Sequence, residues 1–214
     1  MGTQVSHQSE APRKHAKHPT IGVLALQGAY DAHARTLTSL GATPKLIRLP
    51  DELSNLDGLI MPGGESTTML KFLERNGFFE TLQAFVQTTP TFGTCAGAIL
   101  LAKDVASPTQ RSLAALDITI ERNAYGRQND SVILTAPTIL EGGPLEMVFI
   151  RAPRITRTGP AVETLATRDD APVIVRQGHL LAATFHPELS PDPRVHQLFL
   201  DLVASHHPAE ALPA

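Results

Sequence analysis

The stretch TFGTCAGAILLA, residues 91 to 102, decides the fold of the chain. A short apolar strand pattern ends at Cys95, and a helix-compatible apolar run begins directly after it. Gly93 and Gly97 stand two residues to either side of Cys95, which is the G-x-[S/C]-x-G spacing of a nucleophile elbow. The stretch therefore predicts a sharp strand-to-helix turn that projects the thiol from the end of a buried strand.

Strand and helix patterns alternate on the N-terminal side of this elbow, with short connections between them. Apolar runs of strand length lie at 21–26, 45–49, 57–62 and 91–95. Residues at helical spacing follow three of these runs. This alternation predicts an α/β fold with a doubly wound, mostly parallel sheet and helices on both faces, in the three layers of a flavodoxin-like domain.

Strand-like pieces dominate after residue 102. The intervals between them are too short for helical crossovers, which favours antiparallel pairing. We expect some of these segments to form a small antiparallel extension: 117–121, 131–136, 145–151, 172–177 and 180–185. An amphipathic pattern then predicts a final helix over 195–203.

The composition is that of one globular domain and excludes several classes of function. Hydrophobic residues make up 42% of the chain, and the net charge of −3 argues against non-specific nucleic-acid binding. No apolar run reaches the roughly 18 residues of a membrane helix. One cysteine in 214 residues excludes an intramolecular disulfide and fits the reducing conditions of the cytoplasm.

The two ends of the chain differ from the rest. Residues 1–19 are polar and rich in histidine, so we expect a disordered extension and not a secretory signal. One folded domain is expected over 20–206, followed by a frayed tail over 207–214.

Cys95 is either a nucleophile or a buried structural thiol. Free amides at a helix N-terminus favour a thiolate, and the amide of Ala96 can stabilise an oxyanion. A lone cysteine in a reducing compartment is, however, commonly a structural core residue. Because a thiol nucleophile needs a base, and the base needs an orienting group, the rest of the sequence decides between the two.

FHPEL, residues 185 to 189, supplies a base with a carboxylate beside it. If the chain stays extended through Pro187, His186 and Glu188 point to the same side. Glu188 then orients His186 as the acid of a triad does. The competing histidines lack a carboxylate placed like Glu188: His33 in a helix pattern, His179 in a turn, His196 on the polar side of the last helix, and His206 and His207 near the frayed C-terminus.

MPGGES, residues 61 to 66, follows a predicted strand with two consecutive glycines. Backbone N–H groups in such a loop can face a ligand, and Gly63 is a candidate second oxyanion donor. A phosphate-binding loop is the alternative, but the pattern G-x-x-x-x-G-K-[ST] is absent and no lysine follows until Lys71.

Together these motifs resemble the class I (triad) glutamine amidotransferase family. The motifs that carry the resemblance are GTCAGAI at 93–99, FHPEL at 185–189 and PGGEST at 62–67. Three more blocks are similar to the glutaminase subunits of pyridoxal 5′-phosphate synthase: LQGA at 26–29, RNAYGRQ at 122–128 and FIRAP at 149–153. The resemblance implies a doubly wound α/β fold and hydrolysis of L-glutamine to L-glutamate and ammonia.

The resemblance also assigns roles to individual residues. Cys95 is the nucleophile, His186 transfers protons, and Glu188 orients His186. Gln27 lies beside the oxyanion pocket at the synthase interface, where a peptide rearrangement completes the pocket. The positions associated with bound glutamine are Gly63, Gly64, Glu65, Arg122, Ile150 and Arg151. A guanidinium suits the α-carboxylate of glutamine, although a surface salt bridge is the alternative for each arginine.

The resemblance implies a protein partner, but no cofactor and no metal. Free ammonia would protonate and diffuse away, so we expect a hetero-oligomeric complex with a (β/α)8-barrel synthase subunit and low glutaminase activity without it. Three alternatives remain: another stand-alone triad amidotransferase, such as the one feeding imidazole glycerol phosphate synthesis, a cysteine hydrolase of related fold, and a regulatory subunit without turnover.

Overall fold

The computed structural model describes residues 18–75, 77–122, 124 and 131–206. The predictions of a disordered extension and a frayed tail therefore fall almost wholly on residues outside this set, and they stay predictions. Most of the RNAYGRQ block also lies outside it, with Arg122 and Ala124 described.

Twelve strands and five helices make up the described chain. The strands are β1 (Thr20–Leu24), β2 (Thr43–Ile47), β3 (Gly58–Met61), β4 (Thr91–Thr94), β5 (Ala102–Ala106), β6 (Leu116–Glu121), β7 (Ser131–Ala136), β8 (Leu145–Ile150), β9 (Arg154–Thr158), β10 (Glu163–Arg168), β11 (Ala171–Gln177) and β12 (Leu180–Ala183). The helices are α1 (Tyr30–Ser39), α2 (Ser66–Leu73), α3 (Phe78–Phe85), α4 (Ala96–Leu101) and α5 (Arg194–Ser205). Short 3-10 turns occupy Pro50–Leu53 and Pro187–Leu189.

A seven-stranded sheet forms the centre, in the order β10-β11-β12-β4-β3-β1-β2. The run from β12 to β2 is parallel throughout, and β11 and β10 continue it antiparallel. The carboxyl ends of the parallel strands therefore meet at one edge, which is where ligands bind in sheets of this kind.

Helices cover both faces of the sheet because its central strands are apolar on both sides. In β1, Leu24 packs into a core shared with α2, α3 and α4. Its neighbours Ile21 and Val23 pack on the opposite side, in a core shared with α5. A strand buried on both faces reads as a continuous apolar run, and this confirms the prediction of a doubly wound sheet.

Two smaller sheets, β5-β6-β9 and β7-β8, form the antiparallel extension. The β7-β8 pair joins two predicted segments and is antiparallel, as expected. The β6-β9 pair is also antiparallel, whereas β5 and β6 are parallel. Strands β5, β9 and β10 have no counterpart in the sequence prediction. Each exposes charged or threonine side chains on part of its surface, so none shows the apolar run that marks a buried strand.

Candidate active site

Cys95 stands at the tip of a strained turn between β4 and α4. Its backbone has φ 48° and ψ −102°, and a positive φ costs free energy for any residue other than glycine. A Cβ on Gly97 would overlap the carbonyl oxygen of Met61 in β3, and a Cβ on Gly93 would lie 2.6 Å from the carbonyl carbon of Gly97. The two glycines therefore let α4 lie directly against the sheet, as the elbow spacing predicts.

The parallel pairing of β12 with β4 brings a histidine to this turn. Ala183 is the register partner of Thr94, and the amide of Cys95 donates to the carbonyl oxygen of Ala183 at 2.8 Å. Beyond the strand, the amide of His186 donates to the carbonyl oxygen of Val148 at 2.8 Å. Strand pairing thus sets the relative positions of two residues that are distant in sequence.

His186 and Glu188 make the predicted contact by a different backbone route. Nδ1 of His186 lies 2.8 Å from Oε1 of Glu188, and the Glu188 side chain is fully buried. Pro187–Leu189 is a 3-10 turn, so the prediction that the chain stays extended through Pro187 is wrong. Proline fixes its own φ at a value that suits the first residue of a helical turn, while His186 before it stays non-helical.

The surroundings of His186 favour its charged form. Burial lowers the pKa of His186, but the hydrogen bonds and charges of Cys95 and Glu188 outweigh burial and raise this pKa to about 10. Burial also acts to raise the pKa of Glu188, yet the hydrogen bond to His186 and the interactions with His33 and His186 hold it below its ordinary value. At neutral pH, an imidazolium therefore lies between the sulfur and a carboxylate.

The diglycine loop after β3 lies against the same histidine. A Cβ on Gly63 would overlap Cε1 of His186 and lie 3.2 Å from Cβ of Cys95, so only glycine permits this approach. Oε1 of Gln27 accepts a hydrogen bond from the amide of Glu65 at 3.2 Å. The loop after β1 is thereby tied to the loop that precedes α2.

A cavity of about 250 Å³ opens at Cys95 and His186. Other predicted residues that line it are Gln27, Gly64, Glu65, Arg122, Ile150 and Arg151. Gly63 and Ala96 are buried beside the catalytic-site candidates and do not line the cavity. Ser66 and Ile99 line it without having been predicted, although Ile99 stands one helical turn after Cys95 and could have been placed from that spacing.

Arg122 both forms an ion pair and lines the cavity. Its side chain is only 11% exposed, and Nη2 lies 3.4 Å from Oε1 of Glu65. Among the residues that the structure describes, its buried Nε has no hydrogen-bond partner. Arg122 is therefore ion-paired, but it is a largely buried cation at the cavity wall and not a surface residue, whereas Arg151 is exposed.

Two histidines set aside by the sequence analysis are fully buried behind Glu188. The prediction that His196 lies on the polar side of the last helix is wrong, because it shares a face with Leu200 and Val203, four and seven residues further along α5. Its Nε2 lies 2.9 Å from Nδ1 of His33, and Nε2 of His33 lies 3.3 Å from Oε2 of Glu188. The spacing of His196 to Leu200 and Val203 was the available signal for its burial.

The described ranges contain neither a candidate membrane-spanning helix nor a candidate metal-binding cluster. No helix there is long and apolar enough to cross a membrane. No group of three or more histidine, cysteine, aspartate or glutamate side chains in those ranges is arranged to hold a metal ion.

The fold is that of the class I glutamine amidotransferases. A crystal structure of a glutamine amidotransferase matches with a TM-score of 0.80 and 46% identity, over 86% of this chain and 98% of that one. The chain belongs to the SNO glutamine amidotransferase family, whose profile matches residues 23–205. A "pyridoxal 5′-phosphate synthase subunit PdxT" from Koribacter versatilis is 58% identical over 190 residues, 89% of this chain and 98% of the relative. A protein of the same name from Brevibacillus brevis is 49% identical over 184 residues, 86% of this chain and 96% of the relative.

Proposed function

We propose that this chain is the glutaminase subunit of pyridoxal 5′-phosphate synthase. It hydrolyses L-glutamine to L-glutamate and ammonia and delivers the ammonia to a synthase subunit. The observation that carries the proposal is the contact of Cys95, His186 and Glu188 at the elbow, beside one cavity. Membership of a glutamine amidotransferase family and the names of the relatives support it.

The first half of the reaction forms a thioester. The Cys95 thiolate adds to the carboxamide carbon of glutamine, and the carbonyl electrons move to oxygen. As the tetrahedral intermediate collapses, the C–N bond breaks and the His186 imidazolium gives its Nε2 proton to the nitrogen, which leaves as ammonia. Glu188 holds Nδ1 at 2.8 Å, so Nε2 is the nitrogen left for the sulfur and the leaving group.

The second half restores the enzyme. Neutral His186 takes a proton from water as that water adds to the thioester carbonyl. The C–S bond then breaks, Cys95 leaves as the thiolate, and the proton stays on His186. The γ-carboxylic acid of glutamate ionises in solvent.

The oxyanion formed in both halves needs donors that are fixed before the reaction begins. We assign this role to the backbone amides of Gly63 and Ala96. The support is that Gly63 packs against His186 and Cys95, and that Ala96 opens α4, where an amide has no acceptor within its helix. Loss of one such donor typically costs about 10²–10³ in rate.

The amino-acid end of glutamine needs a site at the far side of the cavity. We assign its α-carboxylate to Arg122, whose guanidinium can bind it through two parallel hydrogen bonds. The support is that Arg122 lines the cavity and that its buried Nε has no partner within the described ranges. The remaining contacts are assigned to Gly64, Glu65, Ile150 and Arg151, all of which line the cavity.

Ammonia transfer requires the synthase to be docked, because ammonia in water protonates and diffuses away. We propose that docking also completes the oxyanion hole through Gln27. Gly28 has φ 88°, and a Cβ on it would overlap the carbonyl oxygen of Gly63. A peptide rearrangement at Gln27 and Gly28 would therefore change the position of Gly63 directly. The thiol must also stay reduced, so we propose a cytoplasmic enzyme.

A glutaminase assay with and without the synthase subunit tests the proposal. We expect slow release of ammonia by this chain alone, faster release in the complex, and none from Cys95→Ala in either state. Arg157→Gln is the matched control, because Arg157 is half exposed and pairs with Asp117 on β6. Wild-type turnover by Cys95→Ala would refute the nucleophile, and equal turnover with and without the synthase would refute activation by docking.

A further inference from the structure

Glu188 has a second imidazole partner that the triad does not use. His33 on α1 and His196 on α5 are both fully buried. Nε2 of His33 lies 3.3 Å from Oε2 of Glu188, while Oε1 of Glu188 faces Nδ1 of His186. The carboxylate therefore lies between two imidazoles, one at each oxygen.

The proton on His33 can be located from its neighbours. Nδ1 of His33 lies 2.9 Å from Nε2 of His196, and Nε2 of His33 also lies 3.3 Å from Oγ1 of Thr94. A proton on Nδ1 would leave the lone pair of Nε2 facing the Glu188 carboxylate, which is repulsive. A proton on Nε2 instead points a donor at Glu188, and Nδ1 then accepts from the Nε2–H of His196.

Two buried polar atoms next to His33 lack a hydrogen bond of full geometry within the part of the chain that the structure describes. Among the described residues, Oε2 of Glu188 makes no hydrogen bond of full geometry. Its contact with Nε2 of His33 at 3.3 Å is electrostatic, and the same Nε2 also lies 3.3 Å from Oγ1 of Thr94. Nδ1 of His196 has no hydrogen-bond partner in the described part of the chain either, and in this arrangement it is a bare acceptor. A buried carboxylate oxygen without any donor would carry a large desolvation cost.

Both additional histidines are neutral. Burial lowers the pKa of His33 to about 4, against the attraction of Glu188 and together with repulsion by His186. Burial, with repulsion by His33, lowers the pKa of His196 to about 3, against the attraction of Glu188. His33 therefore faces Glu188 as a neutral N–H dipole and not as a charge, and His196 acts on Glu188 only through His33.

We propose that His33 is a positioning residue for the catalytic base: its Nε2–H holds the second oxygen of Glu188, and His196 fixes the tautomer that makes this possible. Glu188 sits on a short 3-10 turn, which by itself would let the carboxylate rotate about its side-chain bonds. The contact from His33 on α1 keeps Oε1 of Glu188 directed at Nδ1 of His186. This inference rests on the proposed triad, since it acts through Glu188.

Two amide substitutions of His33 separate positioning from packing. The longer side chain of His33→Gln can place an N–H where Nε2 of histidine lies, whereas that of His33→Asn reaches only the position of Nδ1. In the synthase complex we expect His33→Asn to lower kcat about 10- to 100-fold, the value of a hydrogen bond to a charged group, with KM little changed. His33→Gln should restore most of the loss. Equal kcat in folded Asn and Gln variants would overturn the proposal.

A double-mutant cycle tests whether His33 acts through Glu188. In a Glu188→Ala background, His33→Asn should cause no further loss of kcat, while a purely structural role would add its cost independently. Circular dichroism and thermal unfolding check that every variant is folded. Cys95→Ala turnover at the wild-type rate would overturn both the triad and this inference, whereas an inactive Cys95→Ala with fully active His33→Asn would overturn the role of His33 alone.

Discussion

Gly63→Ala is the smallest change that should disable the site without altering a reacting atom. The added Cβ would overlap Cε1 of His186 and lie 2.9 Å from its Nδ1. Ordinary contacts between heavy atoms are about 3.5–4.0 Å, so the ring must move by roughly 1 Å. The loop cannot retreat easily in the other direction, because the carbonyl oxygen of Gly63 already abuts Gly28.

A shift of this size disturbs both contacts of the imidazole. Nδ1 leaves its 2.8 Å contact with Glu188, and Nε2 loses its alignment with Cys95. Misplacement by about 1 Å can cost about 10² in rate, so we expect kcat/KM for glutamine to fall about 100-fold. Alanine keeps the backbone N–H of residue 63, so the loss cannot be attributed to a missing oxyanion donor.

Steady-state glutaminase kinetics in the synthase complex measure this effect, with Gly178→Ala as the control. Gly178 has φ 55° and open space around it, at the turn that precedes β12. Alanine there should cost about 1–2 kcal/mol of stability and leave kcat/KM unchanged. Wild-type kcat/KM in a folded Gly63→Ala protein would refute the placement of His186 against the diglycine loop.

Three further predictions concern the elbow, the substrate site and acid stability. Gly97→Ala should lower the free energy of unfolding by about 1–3 kcal/mol, because the added Cβ overlaps the backbone of β3. An unchanged urea denaturation midpoint would contradict the close approach of α4 to β3. Arg122→Gln should raise KM for glutamine about 10-fold or more with a smaller effect on kcat, whereas Arg157→Gln should leave KM unchanged in the same assay. Burial lowers the pKa values of His33 and His196 to about 4 and about 3, below the value of 6.5 in the unfolded chain. The unfolded chain therefore binds more protons, and the free energy of unfolding should fall by a few kcal/mol as pH drops from 6.5 to about 4. His196→Gln cannot titrate and should flatten that fall in a urea series, and an unchanged slope would argue against a buried, neutral His196.

The sequence predicted those parts of the molecule that depend on neighbours in the chain. The spacing of Gly93 and Gly97 around Cys95 specifies a backbone turn, and a turn is a local structure. The apolar runs of β1, β3 and β4 likewise predicted a sheet buried on both faces. The pairing of His186 with Glu188 was also predicted, since two residues separated by one can meet through either an extended or a turned backbone.

The backbone conformation between His186 and Glu188 could not be predicted from the local sequence. Proline restricts the residue before it but also begins helical turns, so the local preferences at Pro187 fit both an extended chain and the 3-10 turn that forms. The packing of His186 against β8 and the diglycine loop selects the turn.

The sequence by itself determined the nucleophile elbow, the doubly wound architecture and the family of the protein. Only the tertiary structure decided which side chains surround the elbow. The order of β12, β4 and β3 in the sheet brings His186 and Gly63 to Cys95, and strand order is not encoded by any one segment. The burial of His33 and His196 was decided in the same way. A polar side chain on a helix is stable in a core only when it finds a partner. His33 contacts both His196 and Glu188, and these three residues come from three different parts of the chain.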